Sequence, residues 1–295
     1  MADYQEYLGI AGLAEEADDG AGVKIAILDT GDPNLCFHTD PCDEFENFTG
    51  DYPWVSSHAS AVGSLLVADT RELRGVCPKA RVFFGKVFDG GTAKVETIVK
   101  GIKRAVEWGA DIVNMSFGIP GEFPPELAEA CQEAYDKGVI LTAASGNSNS
   151  STMYPAALST VISVGASDSR KKEEFSNYGK VDFTAPGVDL PCLDTTGGLV
   201  TRTGTSFSAP LITGILALIL AGRRKRGLPD DPESVKADLI ARCRDIAEEG
   251  YDSETGYGFP FVIGDVESRT ELPVMTLCDK IKDVIGKIVS IFKRR

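Results

Sequence analysis

Histidine is almost absent from this chain. Two occur in 295 residues, His38 and His58, so a reaction that needs an imidazole base has few places to find one. The seven cysteines, Cys36, Cys42, Cys77, Cys131, Cys192, Cys243 and Cys278, are scattered, odd in number and form no CxxC pair. That argues against a disulfide framework and fits reduced thiols. The segment Cys36–Cys42 has metal-ligand residue types but no zinc spacing, and reads as an ordinary loop. Positive charge is also short. Lys and Arg number 30 against 44 Asp and Glu, a formal net charge of −14, which speaks against nucleic acid as the main partner. The first residues have neither a basic n-region nor an apolar h-region, so no secretion signal is read and a cytoplasmic protein is expected. No internal repeat or low-complexity tract occurs. What remains is a chain with 43% hydrophobic residues, enough for a sizeable core, sized for one large α/β domain or two small ones.

The chain is organised around 201–222, TRTGTSFSAPLITGILALILAG. Polar and small residues give way to an apolar run, Leu211–Ala221, read as a buried helix. The run falls short of the roughly 20 residues that a bilayer span needs. Pro210 is compatible with the first turn of that helix. Ser206 then sits at or just before a helix N-terminus, where free N–H groups and the dipole favour developing negative charge. A plain Ser/Thr cap on a core helix is the simpler reading of the same residues.

Upstream, 23–28 is a short apolar run that ends at Asp29-Thr30-Gly31. It reads as a buried parallel strand with Asp29 at its carboxyl end, where open α/β sheets place ligands. Residues 32–57 lack periodicity and read as a surface loop. A tightly packed helix follows over 57–68, with His58 in its first turn. Strands are expected over 81–88, 111–116, 139–144, 161–166 and 181–184. Helices are expected over 94–108, 125–137 and 232–243. The alternation predicts a mostly parallel central sheet with helices on both faces, a three-layer α/β fold.

Asp29, His58 and Ser206 thus stand at a strand end and two helix starts. A serine needs a base to become a nucleophile, and the base needs a carboxylate to hold its tautomer. Five segments carry a specific resemblance: Ile27–Gly31, Ser57–Val62, Asn114–Gly118, Ala144–Asn147 and Gly204–Pro210. In order and content they are similar to the signatures of the subtilisin-like serine proteases, over about residues 8–264, with Gly256-Tyr257-Gly258 as the closing glycine segment. The resemblance implies the subtilisin-like fold. It also implies Ser206 as nucleophile, His58 as general base and acid, Asp29 as its orienting carboxylate, and Asn147 with the Ser206 N–H as oxyanion donors. An extended peptide substrate would lie between Gly90-Gly91-Thr92 and Ser116-Phe117-Gly118, with Ala144-Ser145-Gly146 lining the same cleft. No cofactor is required by this chemistry.

Several positions depart from the family pattern. Ala59-Ser60-Ala61 replaces its usual Gly-Thr-His. Phe207 follows the nucleophile where many members have an oxidation-prone methionine. Met153 stands where many have glycine at the floor of the first specificity pocket, so a shallow pocket is expected. The loop 69–74 lies where many relatives bind Ca²⁺ but lacks their asparagine-rich pattern. It reads as an ordered turn, with calcium retained only as an option. About 22 residues precede the first strand, too few for the folding prodomain of secreted relatives; either a propeptide has been removed or folding needs none, and a closer resemblance to intracellular members is expected.

The catalytic domain is expected over 1–264. A linker and an amphipathic helix are expected over 265–295, with Leu277, Ile281, Val284, Ile285, Ile288 and Phe292 on one face and lysines and arginines outside. That helix would dock on the domain, on a partner or on a membrane surface. The chain is thus read as a serine endopeptidase acting on proteins or peptides. The alternative is a catalytically silent scaffold that binds peptides. Acid-acting serine-carboxyl relatives use glutamate and aspartate where this chain has His58 and Asn147.

Overall fold

The computed structural model describes residues 2–34, 44–52, 55–168 and 170–260. Seven strands form the central sheet: β1 (Lys24–Asp29), β2 (Glu44–Asn47), β3 (Arg81–Lys86), β4 (Ile112–Met115), β5 (Ile140–Ala144), β6 (Val161–Ala166) and β7 (Phe183–Ala185). Their spatial order is β7-β6-β5-β4-β1-β3-β2, with every pairing parallel. The chain crosses from one side of β1 to the other between β3 and β4, and Asp29 closes β1 at that reversal. Open parallel sheets form their ligand crevice at such points.

Two helical layers cover the sheet. α1 (Ser57–Val67), α4 (Thr205–Lys225) and α5 (Pro232–Ile240) lie on one face; α2 (Val95–Trp108) and α3 (Pro125–Asp136) lie on the other. The strand period of two sorts the side chains. Ile25 and Ile27 join the α1/α4 core, while Ala26 and Leu28 join the α2/α3 core. The expected three-layer α/β fold is what the chain adopts.

α4 is the spine of the first layer. It begins at Thr205, earlier than the apolar run, and Pro210 lies inside it rather than in its first turn. The helix can start there because Gly204, at φ 144°, makes a bend closed to other residues. Asn147 Oδ1 then accepts the Thr205 N–H at 2.9 Å. Pro210 has no N–H to return to the Ser206 carbonyl four residues back. Although α4 is 21 residues long and apolar, it is almost wholly buried inside the protein, as a core helix is.

Two further expectations change. Residues 32–57 were expected to be loop, yet Glu44–Asn47 forms edge strand β2 on β3. Its glutamates are held by Arg104 of α2, with Nε–Oε2 of Glu46 at 2.9 Å and a contact to Glu44. The Gly90-Gly91-Thr92 stretch is not one extended edge. Gly90 and Gly91, at φ 55° and 89°, form the turn of a two-residue hairpin that pairs Phe88–Asp89 with Thr92–Ala93. The segment Cys36–Cys42, the domain boundary at 264, the linker and the amphipathic segment lie outside the described residues.

Candidate active site

The strand–turn at the end of β1 fixes Asp29, which is buried. Its Oδ1 accepts from the Thr30 N–H at 2.6 Å, the Thr30 hydroxyl at 2.9 Å and His58 Nδ1 at 2.8 Å. A carboxylate oxygen accepts, so Nδ1 carries the proton and Nε2 is left as the free acceptor. Thr30 Oγ1 also meets Ser56 Oγ, the N-cap of α1, whose side chain accepts the Ala59 N–H at 3.3 Å. Cap, threonine, carboxylate and imidazole form one chain of contacts, which sets the start of α1 and the angle of His58.

The imidazole is one-third exposed and lies against Phe207, with ring centroids 5.3 Å apart. Phe207 follows Ser206 in the first turn of α4, so His58 and Ser206 come from distant parts of the chain to one place. Partial burial pulls the His58 pKa down. The charge and hydrogen bond of Asp29 outweigh it despite the opposing Arg202, and the pKa ends above its ordinary 6.5.

Asn147 is exposed at the end of β5, beside the start of α4. Its Oδ1 accepts from both the Thr205 N–H at 2.9 Å and the Thr205 hydroxyl at 2.8 Å. The carboxamide oxygen is therefore committed, and Nδ2 remains as a donor. The Ser206 N–H, in the first turn, has no helical carbonyl to bond. A helix N-terminus, two N–H donors and an imidazole with a free Nε2 suit a reaction that creates an oxyanion at a serine.

The remaining expected residues group around Phe88 of the hairpin and Met153. Ser116 and Phe117 are buried just beyond β4, and Phe88 of the hairpin stacks edge-on against Phe117 at 5.2 Å. This brings the Gly90-Gly91 hairpin to the Ser116–Gly118 segment. Ala144 ends β5. Ser145 is buried, and its carbonyl accepts the Met153 N–H at 3.0 Å. A Cβ added at Gly118 would come within 2.7 Å of Met153 Cβ, and one at Gly146 within 3.2 Å of its Sδ. The Met153 side chain thus lies between the Ser116–Gly118 and Ala144–Gly146 segments.

Thr30, Ser56 and Thr205 were not singled out from sequence as parts of the site, and Phe207 only as the residue that follows Ser206. All but Ser56 lie inside motifs that were, Ile27–Gly31 and Gly204–Pro210, so the signal was present without its meaning. Free thiols offer no rival nucleophile among the described residues. Burial pushes Cys131 and Cys243 up to about 12 and raises Cys77 and Cys192 as well.

The calcium option can be tested on the side chains present. Arg74 Nη1 donates to Asp69 Oδ1 at 3.0 Å, Nη2 to Asp19 Oδ2 at 2.9 Å and Nε to Gln5 Oε1 at 3.3 Å. The oxygens that would face a cation there already face a guanidinium, so a calcium ion does not fit. Among the described residues no cluster of three or more His, Cys, Asp or Glu side chains suits a metal.

Comparison with known proteins points the same way. The model of the Subtilase family matches residues 20–258. The major intracellular serine protease of Bacillus subtilis (strain 168) is 36% identical over 222 residues, 68% of this chain and 69% of that protein. Subtilisin DY of Bacillus licheniformis is 34% identical over 221 residues, 68% of this chain and 78% of that one. Among solved structures, the prenylagaramide maturation protease PagA superposes with a TM-score of 0.74 at 28% identity, covering 84% of this chain and 95% of PagA. The parallel sheet, the buried spine helix and these matches lead to one conclusion: the chain belongs to the subtilase family and is a subtilisin-like serine endopeptidase.

Proposed function

We propose that Ser206 is the nucleophile, His58 its base and then acid, Asp29 the group that orients His58, and Asn147 a donor to the oxyanion. The observation that carries this reading is the His58 imidazole held between Asp29 Oδ1 at 2.8 Å and the ring of Phe207 at 5.3 Å. His58 Nε2 takes the Ser206 hydroxyl proton as Oγ attacks the peptide carbonyl carbon. The carbonyl oxygen becomes an alkoxide, met by Asn147 Nδ2 and the Ser206 N–H. Collapse breaks the C–N bond, and the imidazolium gives its proton to the departing amine. Water then attacks the acyl ester with His58 again as base, releasing the acid and restoring Ser206. No cofactor enters these steps.

The substrate is a peptide lying extended across Ser116–Gly118 and Ala144–Gly146, main chain to main chain, with Thr92 on the far rim. Met153 fills the floor of the pocket for the residue before the cut and favours small or medium side chains there. One solved relative is a maturation protease, which favours a peptide substrate processed at a defined site over bulk digestion. A relative named for its intracellular location supports cytoplasmic action. The silent-scaffold alternative has no chemical need for Asp29, His58, Asn147 and Ser206 together. Hydrolysis of a small-residue peptide library decides between them. Turnover by the wild type that vanishes in Ser206→Ala is expected; peptide binding without turnover would overturn the proposal.

A further inference from the structure

Asn147 stands on an exposed loop, an unsteady platform for a donor that must hold its place to within about 0.5 Å. The loop is stiffened from behind by Asn177, which is fully buried. Asn177 Oδ1 accepts from the Ser148 N–H at 2.9 Å, the Ser148 hydroxyl at 3.2 Å and the Ser150 N–H at 3.2 Å. Its Nδ2 donates to the Ser151 carbonyl at 3.0 Å, and its own N–H donates to the Gly146 carbonyl at 3.1 Å. These bonds fall on both neighbours of Asn147, Gly146 before it and Ser148 after it. The approach is close: a Cβ on Gly146 would come within 2.3 Å of Asn177 Nδ2, and Gly146 has φ 115°. The seam continues outward, with the Asn149 N–H on the Phe175 carbonyl and the Tyr178 N–H on the Ser150 carbonyl, each 2.9 Å. In front, Thr205 holds the Asn147 carboxamide oxygen.

We propose that Asn177 is a positioning residue for the Asn147 amide. It does not reach the substrate. It satisfies the backbone on either side of Asn147, so that the free Nδ2 points at one place before the oxyanion forms. The proposal rests on Asn147 acting as the oxyanion donor. A donor of this kind works by being in place beforehand. Removing Asn177 leaves the Ser148 and Ser150 N–H groups without that acceptor and lets the loop relax. A displacement of about 1 Å at a reacting centre costs on the order of 10²-fold in rate. Ground-state binding of the extended peptide should change little, because the bond that holds the Gly146 carbonyl comes from the Asn177 main-chain N–H, which the substitution keeps.

The test is a double-mutant cycle on steady-state peptidase kinetics, with thermal unfolding to confirm that each variant is folded. Asn177→Ala is expected to lower kcat about 10- to 100-fold with KM within a few-fold. Asn147→Ala is expected to lower kcat about 10²–10³-fold. In the Asn147→Ala background, Asn177→Ala should cost no more than about 3-fold, because no donor is left to position. If Asn177→Ala does not fold, Asn177→Ser takes its place in the same cycle with the same expectation. An unchanged kcat in the Asn177 variant, or losses that multiply fully, overturns the proposal while leaving Asn147 in its role. Full kcat in Asn147→Ala overturns both.

Discussion

His58 Nδ1 lies 2.8 Å from Oδ1 of the buried Asp29, the same oxygen that takes both hydrogen bonds of Thr30. Asp29 Oδ2 has no hydrogen-bond partner among the described residues. All of the carboxylate's contacts thus converge on the oxygen that faces the imidazole, and the ring is held by a contact that is itself held. The direction of the His58 pKa follows from this, since the pairing outweighs the burial of the ring.

This relationship sets a pH dependence. In the proposed mechanism His58 must be neutral to accept the Ser206 proton, so kcat/KM should fall as pH drops through a pKa above 6.5. Asp29→Asn removes the charge that raises the pKa and leaves burial and Arg202, both of which lower it. The acid limb should therefore move to lower pH. kcat should also fall by about 10⁴-fold, the scale known from serine proteases that lose this aspartate, subtilisin among them. A pH–rate series on wild type and Asp29→Asn checks both. The same raised pKa means that the pair's contribution to stability is full below about pH 6.5 and is lost as pH rises through the folded-state value.

Met153 gives a prediction about specificity. Met153→Gly removes the side chain between Gly118 and Gly146 and should deepen the pocket. Peptides with leucine or phenylalanine before the cut should gain at least about 10-fold in kcat/KM, while alanine peptides gain little. Competition of a mixed peptide set, read by mass spectrometry, measures the ratio. An unchanged ratio would remove Met153 from the pocket.

Arg74 predicts indifference to calcium. Chelation with EDTA, or addition of Ca²⁺, should leave the unfolding temperature of the wild type unchanged. Arg74→Ala should lower it by a few degrees. Its three contacts join the N-terminal segment, the turn before β1 and the loop after α1, and partly exposed pairs are each worth about 0.2–1 kcal/mol. A calcium-dependent rise in the wild type would contradict the assignment.

The packing of α4 can be tested apart from the chemistry. A Cβ at Gly214 would lie 2.6 Å from Val76 Cβ and Cγ1, so helix and loop meet there without room for a methyl group. Gly214→Ala should destabilise the fold by about 1–3 kcal/mol and leave kcat near its wild-type value. Differential scanning calorimetry with a parallel peptidase assay measures both.

Much of this arrangement is legible in the sequence, and the parts that are not have a common cause. The apolar run before Asp29 and the small-residue face after His58 are local patterns, and local patterns survive folding. β2 was missed because Glu44-Phe45-Glu46-Asn47 has one apolar residue. It is a strand because β3 offers an edge and Arg104 holds both glutamates. Pro210 seemed to mark the first turn of α4 because a proline fits there. The helix begins earlier because a side chain 58 residues upstream, Asn147, accepts the Thr205 N–H. Asn177 behind the Asn147 loop and Arg74 among three oxygens likewise act through residues remote in sequence, and no spacing along the chain announces them.

The proposed nucleophile is Ser206, activated by His58. A fluorophosphonate probe followed by peptide mapping tests this directly. The expected result is a single adduct on Ser206 in the wild type, none in Ser206→Ala, and labelling slowed by orders of magnitude in His58→Ala. Labelling that persists in Ser206→Ala, or a wild type that takes no label while folded, would contradict it.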